Sequence, residues 1–386
     1  MDGSCLIQEH VAMTYRDNLA IGAGASGSAK DEADLAHLWQ KFCSDLAQAS
    51  AVLTRAQTPR TALDQAEGVR YLSRLTRVAL EMAMESSDPD FPRLFQLSNE
   101  IVKIGGDNPD NIYHNAVISG QRRYRITGHR GTVPYLSFGT KANRFMTDGS
   151  MVSTGELEAS QMVFNPDGSF EILASQERSE ATNWLALEAD TSLLLVRQTF
   201  LDKTAETPAT LSIRAIDGPD VPAPLTPEKV ASALQTISGF VTVTARTFAE
   251  WTEMFMARPN ELLPWDQSIF QKTGGDPNIF YLHGYWALKP DQAWVIRTRV
   301  PDCRFWNFQL DNWWMESMDY INRSNVWTNP KKARLDADGM LTLVVSSRDP
   351  GFGNWFDVAG HGSGTALLRW IGADEHPLPA SEVITL

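Results

Sequence analysis

The chain has 386 residues, of which 43% are apolar and 21% are charged. This is the composition of a folded globular protein, and it excludes extended disorder and collagen-like or coiled-coil architectures. The 34 basic and 47 acidic residues give a formal charge of −13 at pH 7. Because a nucleic-acid binder normally carries a basic footprint, we expect no nucleic-acid partner.

The cysteines and the hydropathy pattern indicate where the protein works. Cys5, Cys43 and Cys303 are far apart in the sequence, which is typical of a reducing compartment and not of a disulfide framework. The first 21 residues lack the apolar core of a signal peptide, and no segment approaches the ~18 apolar residues that would cross a membrane. We expect a cytoplasmic protein with a small-molecule substrate and no membrane partner, and the sequence leaves homo-oligomerisation open.

The N-terminal part is predicted to be a flexible leader followed by helices. The leader, residues 1–30, ends in a Gly- and Ser-rich run typical of a linker. In the helical region, 31–105, apolar residues recur at steps of three and four, which predicts amphipathic helices. A Thr-Pro pair ends the first helix, and Thr61, with Asp64 three positions later, begins the second. We expect these helices to form an antiparallel hairpin.

Strand patterns dominate the rest of the chain. Residues 106–217 form a predicted β-rich region, in which Asn-Pro-Asp-Gly at 165–168 predicts a hairpin between two strands. A Pro-rich linker follows in 218–278, with a linking helix near 227–256. Short strands separated by turn residues in 279–386 predict an antiparallel β-sandwich or jelly-roll domain. The predicted fold class is therefore α+β with β dominant.

The loop between residues 348 and 364 is the densest polar cluster. A carboxylate near an imidazole can orient it and raise its pKa, so we expect His361 to be a general acid or base that Asp357 orients. The alternative is a structural His–Asp hydrogen bond that pins the loop. In the same loop, Arg348 is expected to hold an anionic or carbonyl oxygen, and Asn354 to contact the substrate.

A second group of candidates lies outside that loop. Glu316 or His114 would be the complementary catalytic group, and Tyr113 precedes His114 at the start of a strand. The alternative is that the polar residues around them only cap turns and fill the sheet.

Tryptophans are concentrated near the C-terminus. The chain has 12 of them, and most lie after residue 280. We expect Trp313, Trp314 and Trp355 to form the walls of a substrate cleft, since flat aromatic faces stack on apolar, aromatic or sugar rings. Alternation along the chain offers a second interpretation, in which one of the two adjacent tryptophans is buried in the core.

No cofactor signature is present in the sequence. The Gly-rich segment 22–27 superficially resembles a dinucleotide fingerprint, but no strand precedes it and no βαβ unit follows. We assign no cofactor and no metal ligand. A metal bound by His114, His283 and His361 is an alternative that the spacing leaves open.

Four motifs carry a resemblance to a known family. They lie at 106–113 (Gly-Asp-Asn-Pro-Asp-Asn-x-Tyr), 124–128 (Tyr-Arg-Ile-x-Gly), 311–317 (Asp-Asn-x-Trp-x-Glu-Ser) and 354–361 (Asn-Trp-x-Asp-x-x-Gly-His). With these motifs the chain resembles the bacterial domain-of-unknown-function 1214 family, most strongly in the C-terminal region. The resemblance implies a β-sandwich or jelly-roll fold and no particular reaction.

Two functions from different classes follow from these residues. The first is an enzyme, a hydrolase or lyase, that acts on a small apolar, aromatic or sugar-like molecule by acid–base chemistry in a Trp-lined cleft. The second is a non-catalytic, lectin-like β-sandwich that binds a small ligand. A structural or interaction protein without a small-molecule site is a further alternative. Convergence of His361, Asp357, Glu316 and His114 in one pocket would favour the enzyme, and scattered clusters that each stabilise a loop would favour the structural protein.

Overall fold

The computed structural model describes residues 35–386, and the predicted leader, residues 1–30, lies outside the described residues. The helices are α1 (Leu35–Gln48), α2 (Ala62–Leu80), α3 (Phe145–Asp148), α4 (Pro227–Phe255) and α5 (Gln267–Lys272). Shorter helical turns span Ala49–Thr54, Glu81–Glu85 and Ala159–Gln161, and the second of these is a π-helix.

The first eight strands form one β-sandwich. In chain order, β1 to β8 are Asn111–Val117, Tyr124–His129, Tyr135–Arg144, Ser150–Glu158, Ser169–Ser175, Trp184–Ala186, Leu193–Thr199 and Thr210–Ala215. They form two 4-stranded sheets, in the orders β1-β7-β3-β4 and β6-β5-β2-β8. Phe138 and Val196 from one sheet meet Phe170 and Ile172 from the other in a buried core.

The later strands form a second sandwich. In chain order, β9 to β17 are Glu261–Leu263, Ile279–Ala287, Gln292–Arg299, Phe305–Asp311, Trp327–Thr328, Met340–Ser346, Asn354–Asp357, Ser363–Ile371 and Ala380–Thr385. Its sheets have the orders β10-β16-β12-β13 and β15-β14-β11-β17. Trp286, Phe308 and Trp370 pack against Trp294 and Leu343 between the two sheets. The predicted β-dominant α+β fold is confirmed, with two sandwiches in place of one.

Helices cover the outer face of the β10-β16-β12-β13 sheet. Strand alternation sends Leu368 and Trp370 of β16 into the sandwich core and Leu367 and Ile371 into the helical core. A strand that is covered on both faces is apolar at nearly every position, which explains why this segment shows no period of two. The helical layer therefore buries the outer face of this sheet of the second sandwich.

The helix starts follow the predicted capping chemistry. The Thr61 hydroxyl accepts a hydrogen bond from the backbone N–H of Asp64 at 3.1 Å, at the start of α2. Thr226 caps α4 in the same way, through the N–H of Lys229 at 3.3 Å, and Pro227 occupies the first helical position. Each cap satisfies a backbone donor that has no partner inside the helix.

The hairpin predicted around residues 165–168 forms its turn and its second strand, but the prediction of a first strand before the turn is wrong. The turn itself forms, since the N–H of Gly168 donates to the carbonyl of Asn165 at 2.8 Å. However, the Asn183 side chain accepts from the N–H of Val163 at 2.8 Å and donates to its carbonyl at 3.0 Å. Because that amide takes both backbone groups of Val163, the preceding segment does not pair as a strand.

In residues 35–386, no helix is both long enough and apolar enough to cross a membrane.

Truncating a side chain in the core of the second sandwich tests how much that core contributes to stability. Phe308 is 0% exposed, whereas Phe352 is 45% exposed. We expect Phe308→Ala to lower the free energy of unfolding by about 3–5 kcal/mol, because it leaves a cavity in a packed core. Phe352→Ala is the matched control and should change it by less than ~0.5 kcal/mol. Urea unfolding measures both, and equal effects would contradict the assignment of this core.

Candidate functional site

A cavity of about 240 Å³ lies where the two sandwiches and the helical layer meet. β1, β3 and β7 of the first sandwich line one side, and β10 and β16 of the second sandwich line another. Helices α4 and α5 cover it, and the π-helix Glu81–Glu85 contributes Met82. The apolar part of the wall includes Met82, Leu97, Phe240, Phe248, Trp251 and Phe270.

The polar residues of the lining include Tyr113, Tyr281, Arg197 and Arg369, which we call the Tyr–Arg quartet. The Tyr113 hydroxyl accepts from the backbone N–H of Asn108, and that of Tyr281 accepts from the N–H of Asp276, both at 3.1 Å. Burial raises the pKa of both phenols, that of Tyr281 to about 12, while the charges of Arg197 and Arg369 oppose the rise. Both phenols therefore keep their protons at neutral pH and can donate a hydrogen bond.

The two arginines of the quartet differ in their charge balance. Arg197 lies 3.4 Å from the carboxylate of Asp276 and donates to the carbonyl of Gly274 at 2.7 Å. Arg369 is 4% exposed and donates to neutral oxygens only, those of Asn307, Gln309 and Gly106. Within residues 35–386, no carboxylate oxygen lies at ion-pair distance from Arg369, although the charges of Asp107 and Asp311 interact with it from further away. A buried charge without a counter-ion is costly, so this position is suited to receive an anion.

The carboxyl groups near Arg369 only partly balance its charge. Burial raises the pKa of Asp311 to about 7, against the opposing hydrogen bond from Gln309. Burial also raises the pKa of Asp107, whose oxygens accept from the N–H and hydroxyl of Ser317. With a pKa of about 7, Asp311 is only partly ionised at neutral pH, so it balances the charge of Arg369 incompletely.

Three buried polar atoms of cavity-lining residues have no hydrogen-bond partner: Asn111 Oδ1, Thr244 Oγ1 and His283 Nδ1. Burial first, and then the charge of Arg369, lower the pKa of His283 well below its usual value. The ring stacks on Phe255 with 4.8 Å between centroids. His283 is therefore a neutral imidazole, and together these atoms offer hydrogen bonds to a guest.

His361 and Glu316 belong to a different network, at the other end of α2. His361 Nε2 lies 2.8 Å from Glu67 Oε2, and Asn312 Nδ2 donates to both Glu67 and Glu316 at 3.0 Å. Arg74 pairs with Glu316 at 2.5 Å. Burial lowers the pKa of His361, but the hydrogen bond and charge of Glu67 outweigh it, so the pKa of His361 is raised overall.

Asp357 does not orient His361. It pairs instead with Arg323 at 2.8 Å, and its other oxygen accepts from the N–H of Ala359 at 2.9 Å. The positive φ of 51° at Ala359 turns the chain before His361, so the two side chains bind different partners. The carboxylate that holds His361 comes from α2, 294 positions away in sequence.

His114 lies away from the cavity, although its neighbour Tyr113 lines it. Strand alternation places Tyr113 and Asn115 toward the cavity and His114 on the opposite face, the face that carries the core residue Ala116. Burial lowers the pKa of His114. In residues 35–386, the side chains that could share a metal are Asp64, Glu67 and His361. The fold does not bring His114, His283 and His361 together around one metal, as the alternative required.

The tryptophans that were expected to form the walls lie in the helical core and in strand β15, away from the cavity. Trp313 and Trp314 are 0% and 1% exposed and pack in the helical core, where Trp314 Nε1 donates to the carbonyl of Asp64 at 3.0 Å. Trp355 Nε1 donates to the carbonyl of Ser346 at 3.2 Å. Both members of the adjacent pair are buried, whereas alternation along the chain would have placed only one of them in the core.

The remaining two candidates stabilise the C-terminal loops. Arg348 donates to the carbonyl of Leu386 at 2.8 Å. Asn354 donates to the carbonyls of Arg334 and Thr342, both at 2.8 Å. Of the predicted site residues, Tyr113 alone lines the cavity.

Sequence reasoning missed Arg197, Arg369, Tyr281 and Glu67. A usable signal was present for the arginines, because each interrupts an apolar strand, in Leu-Leu-Leu-Val-Arg197 and in Ala-Leu-Leu-Arg369-Trp. A charge inside a strand that is otherwise apolar is rarely placed there without a partner or a function. Glu67 carried no such signal, since a glutamate on an amphipathic helix is ordinary.

Comparisons with known proteins give a family. A sequence profile described as "Protein of unknown function (DUF1214)" matches residues 113–200. The crystal structure of an uncharacterised protein from Burkholderia cenocepacia is 47% identical, with a TM-score of 0.88 over 90% of this chain and 96% of that one. A crystal structure from Vibrio parahaemolyticus is 12% identical, with a TM-score of 0.48 over 88% of this chain and 100% of that one. The curated proteins gave no match.

The match over residues 113–200 confirms the resemblance to the DUF1214 family that the motifs indicated. The profile match falls in the first sandwich, on strands β1 to β7, and includes Tyr113 and Arg197. The C-terminal region, where the resemblance was expected to be strongest, lies outside the matched residues. The family relationship supports the fold, and it names no reaction.

The raised pKa of Asp311 predicts a pH-dependent stability. The unfolded carboxyl titrates near 3.8 and the folded one near 7, so the folded state holds the proton more tightly. Stability conferred by this group is therefore lost progressively between about pH 4 and pH 7. Asp311→Asn cannot ionise, so its free energy of unfolding should decline less than that of the wild type over this range.

The measurement is urea unfolding at a series of pH values. Exposed Asp349→Asn is the control and should keep the wild-type slope. Parallel curves for the wild type and Asp311→Asn would contradict the assigned titration.

Proposed function

We propose that this protein binds a small amphipathic anion, such as an aliphatic or aromatic carboxylate, in the cavity between its sandwiches. The observation that carries the proposal is Arg369, a buried guanidinium without an ion-pair partner in residues 35–386, at the polar part of a largely apolar cavity. A carboxylate there would neutralise Arg369 through charge-assisted hydrogen bonds.

The other members of the Tyr–Arg quartet suit the same head group. The phenols of Tyr113 and Tyr281 each accept a backbone N–H, so each O–H hydrogen is free to donate to a ligand oxygen. Beyond the head group, Phe240, Phe248 and Trp251 offer apolar surface for an alkyl chain or a ring. Burial of that part would add affinity in proportion to its area.

This proposal develops the ligand-binding alternative drawn from the sequence and retains the cytoplasm as the expected location. The hydrolase or lyase hypothesis stays a prediction. In it, Glu67 would take the role expected of Asp357, because it lies 2.8 Å from His361. We favour binding because neither His361 nor Glu67 lines the cavity.

Paired carboxylates and amides test the proposal directly. Octanoate and phenylacetate would be titrated into the full chain by isothermal calorimetry, alongside octanamide and phenylacetamide. The amides match the shape of the acids but carry no charge. A hydrogen bond to a charged group is worth about 1.5–3 kcal/mol, so at least one acid should bind roughly 10-fold or more tightly than its amide.

Variants locate the binding to the quartet. Arg369→Met should abolish the preference for the acid, and Tyr113→Phe should weaken acid binding several-fold while leaving amide binding closer to the wild type. Arg299→Met removes an exposed arginine that pairs with Glu375 and is the control. The fluorescence of Trp251, removed in a Trp251→Phe variant, gives an independent report from the wall.

Three results would overturn the proposal. They are equal affinities for acid and amide, an unchanged preference in a folded Tyr113→Phe and Arg369→Met pair, or no saturable binding of any of the four probes.

A further inference from the structure

A second group of polar side chains connects α2 with the loop between β15 and β16. Asp64 and Glu67 lie on successive positions of one face of α2, three residues apart, and His361 approaches from the loop. One ligand atom from each residue lies within 4.8 Å of the other two. Two carboxylate oxygens and one imidazole nitrogen are a donor set typical of divalent transition-metal sites.

An unpartnered oxygen in this group is the second observation. Asp64 is 5% exposed, and its Oδ1 is buried without a hydrogen-bond partner. Its Oδ2 accepts from the hydroxyl of Thr61, which fixes the carboxylate at the start of the helix. A buried carboxylate oxygen without a donor is costly, and a cation would satisfy it.

The ring of His361 is held as metal-binding histidines are held. Its Nδ1 lies 3.0 Å from the carbonyl of Val358, a contact that fixes Nδ1–H as the donor. Without a metal, Nε2 also carries a proton and donates to the carboxylate of Glu67, 2.8 Å away, and a metal ion would take the place of that proton on Nε2. Histidine ligands commonly have this second hydrogen bond to a backbone carbonyl.

The surrounding charges favour a cation. Three buried carboxylates lie in the network, those of Asp64, Glu67 and Glu316. Two arginines oppose them: Arg70 lies 2.9 Å from Glu67, and Arg74 lies 2.5 Å from Glu316. With His361 neutral, the carboxylates exceed the arginines by one charge, and the proton on His361 supplies the balancing charge that a metal ion would replace.

We propose that Asp64, Glu67 and His361 bind one divalent transition-metal ion, with Zn²⁺ as the reference case. Zn²⁺ bonds of about 2.0–2.2 Å place tetrahedral ligands roughly 3.4 Å apart, so small side-chain rotations close the group around the ion. The fourth position is left to water. The ion links the helical layer to the second sandwich, because its ligands come from α2 and from the β15–β16 loop.

The test uses the full chain, freed of metal by a chelator and then titrated with Zn²⁺. We expect saturable binding of one equivalent by calorimetry and, at a large excess over Kd, a rise in Tm of about 5 °C. Co²⁺ serves as a spectroscopic probe, since its visible bands report nitrogen and oxygen ligation. Asp64→Asn and His361→Gln should each weaken binding about 10-fold or more and alter the Co²⁺ bands.

The matched control is His376→Gln, which removes an exposed histidine elsewhere. It should leave the stoichiometry, Tm shift and spectrum unchanged. Absence of saturable Zn²⁺ binding by the wild type overturns the proposal even if a variant fails to fold. Equal losses in His376→Gln and His361→Gln overturn it as well. Octanoate binding in the cavity should be the same in every one of these variants, so this proposal and the proposed function fail separately.

Discussion

A single buried arginine organises the junction between the sandwiches. Arg369 occupies a central strand that is otherwise apolar, and it reaches the carbonyl of Gly106 in the loop that crosses from the helices to β1. That loop can pass only because Gly105 has no side chain: its φ is +63°, and a Cβ would lie 2.4 Å from the ring of Phe248. Gly105 and Gly106 therefore bring bare backbone against Phe248 and Arg369 at the edge of the cavity.

The helical layer packs on the second sandwich and also covers the cavity between the two sandwiches. A lone sandwich could bury the inner face of the β10-β16-β12-β13 sheet, but its outer face, with Tyr285, Leu367 and Ile371, needs the helices. The same helices cover the cavity through Phe240 and Phe248. The π-helical turn after α2 contributes Met82, and such irregular turns are frequent near functional sites because they redirect side chains.

The sequence predicted local structure well and long-range assembly poorly, for a physical reason. Thr61 and Thr226 cap their helices as expected because capping is decided within a few residues. The partner of His361 could not be predicted from neighbouring residues. Glu67 lies 294 positions away in the sequence and contacts His361 only once α2 packs on the second sandwich. Trp313 and Trp314 were mistaken for cleft walls because a large aromatic side chain suits a core as well as a pocket. Nothing local distinguishes the two cases.

Both centres lie where α2 meets the β-structure, at opposite ends of that helix. Asp64 and Glu67 are in its first two turns, and Met82 follows its last turn. α2 rises by ~1.5 Å per residue, so its length separates the two centres. The π-helical turn after α2 and the helix α4 supply apolar wall of the cavity, and β16 sets the position of the charge on Arg369.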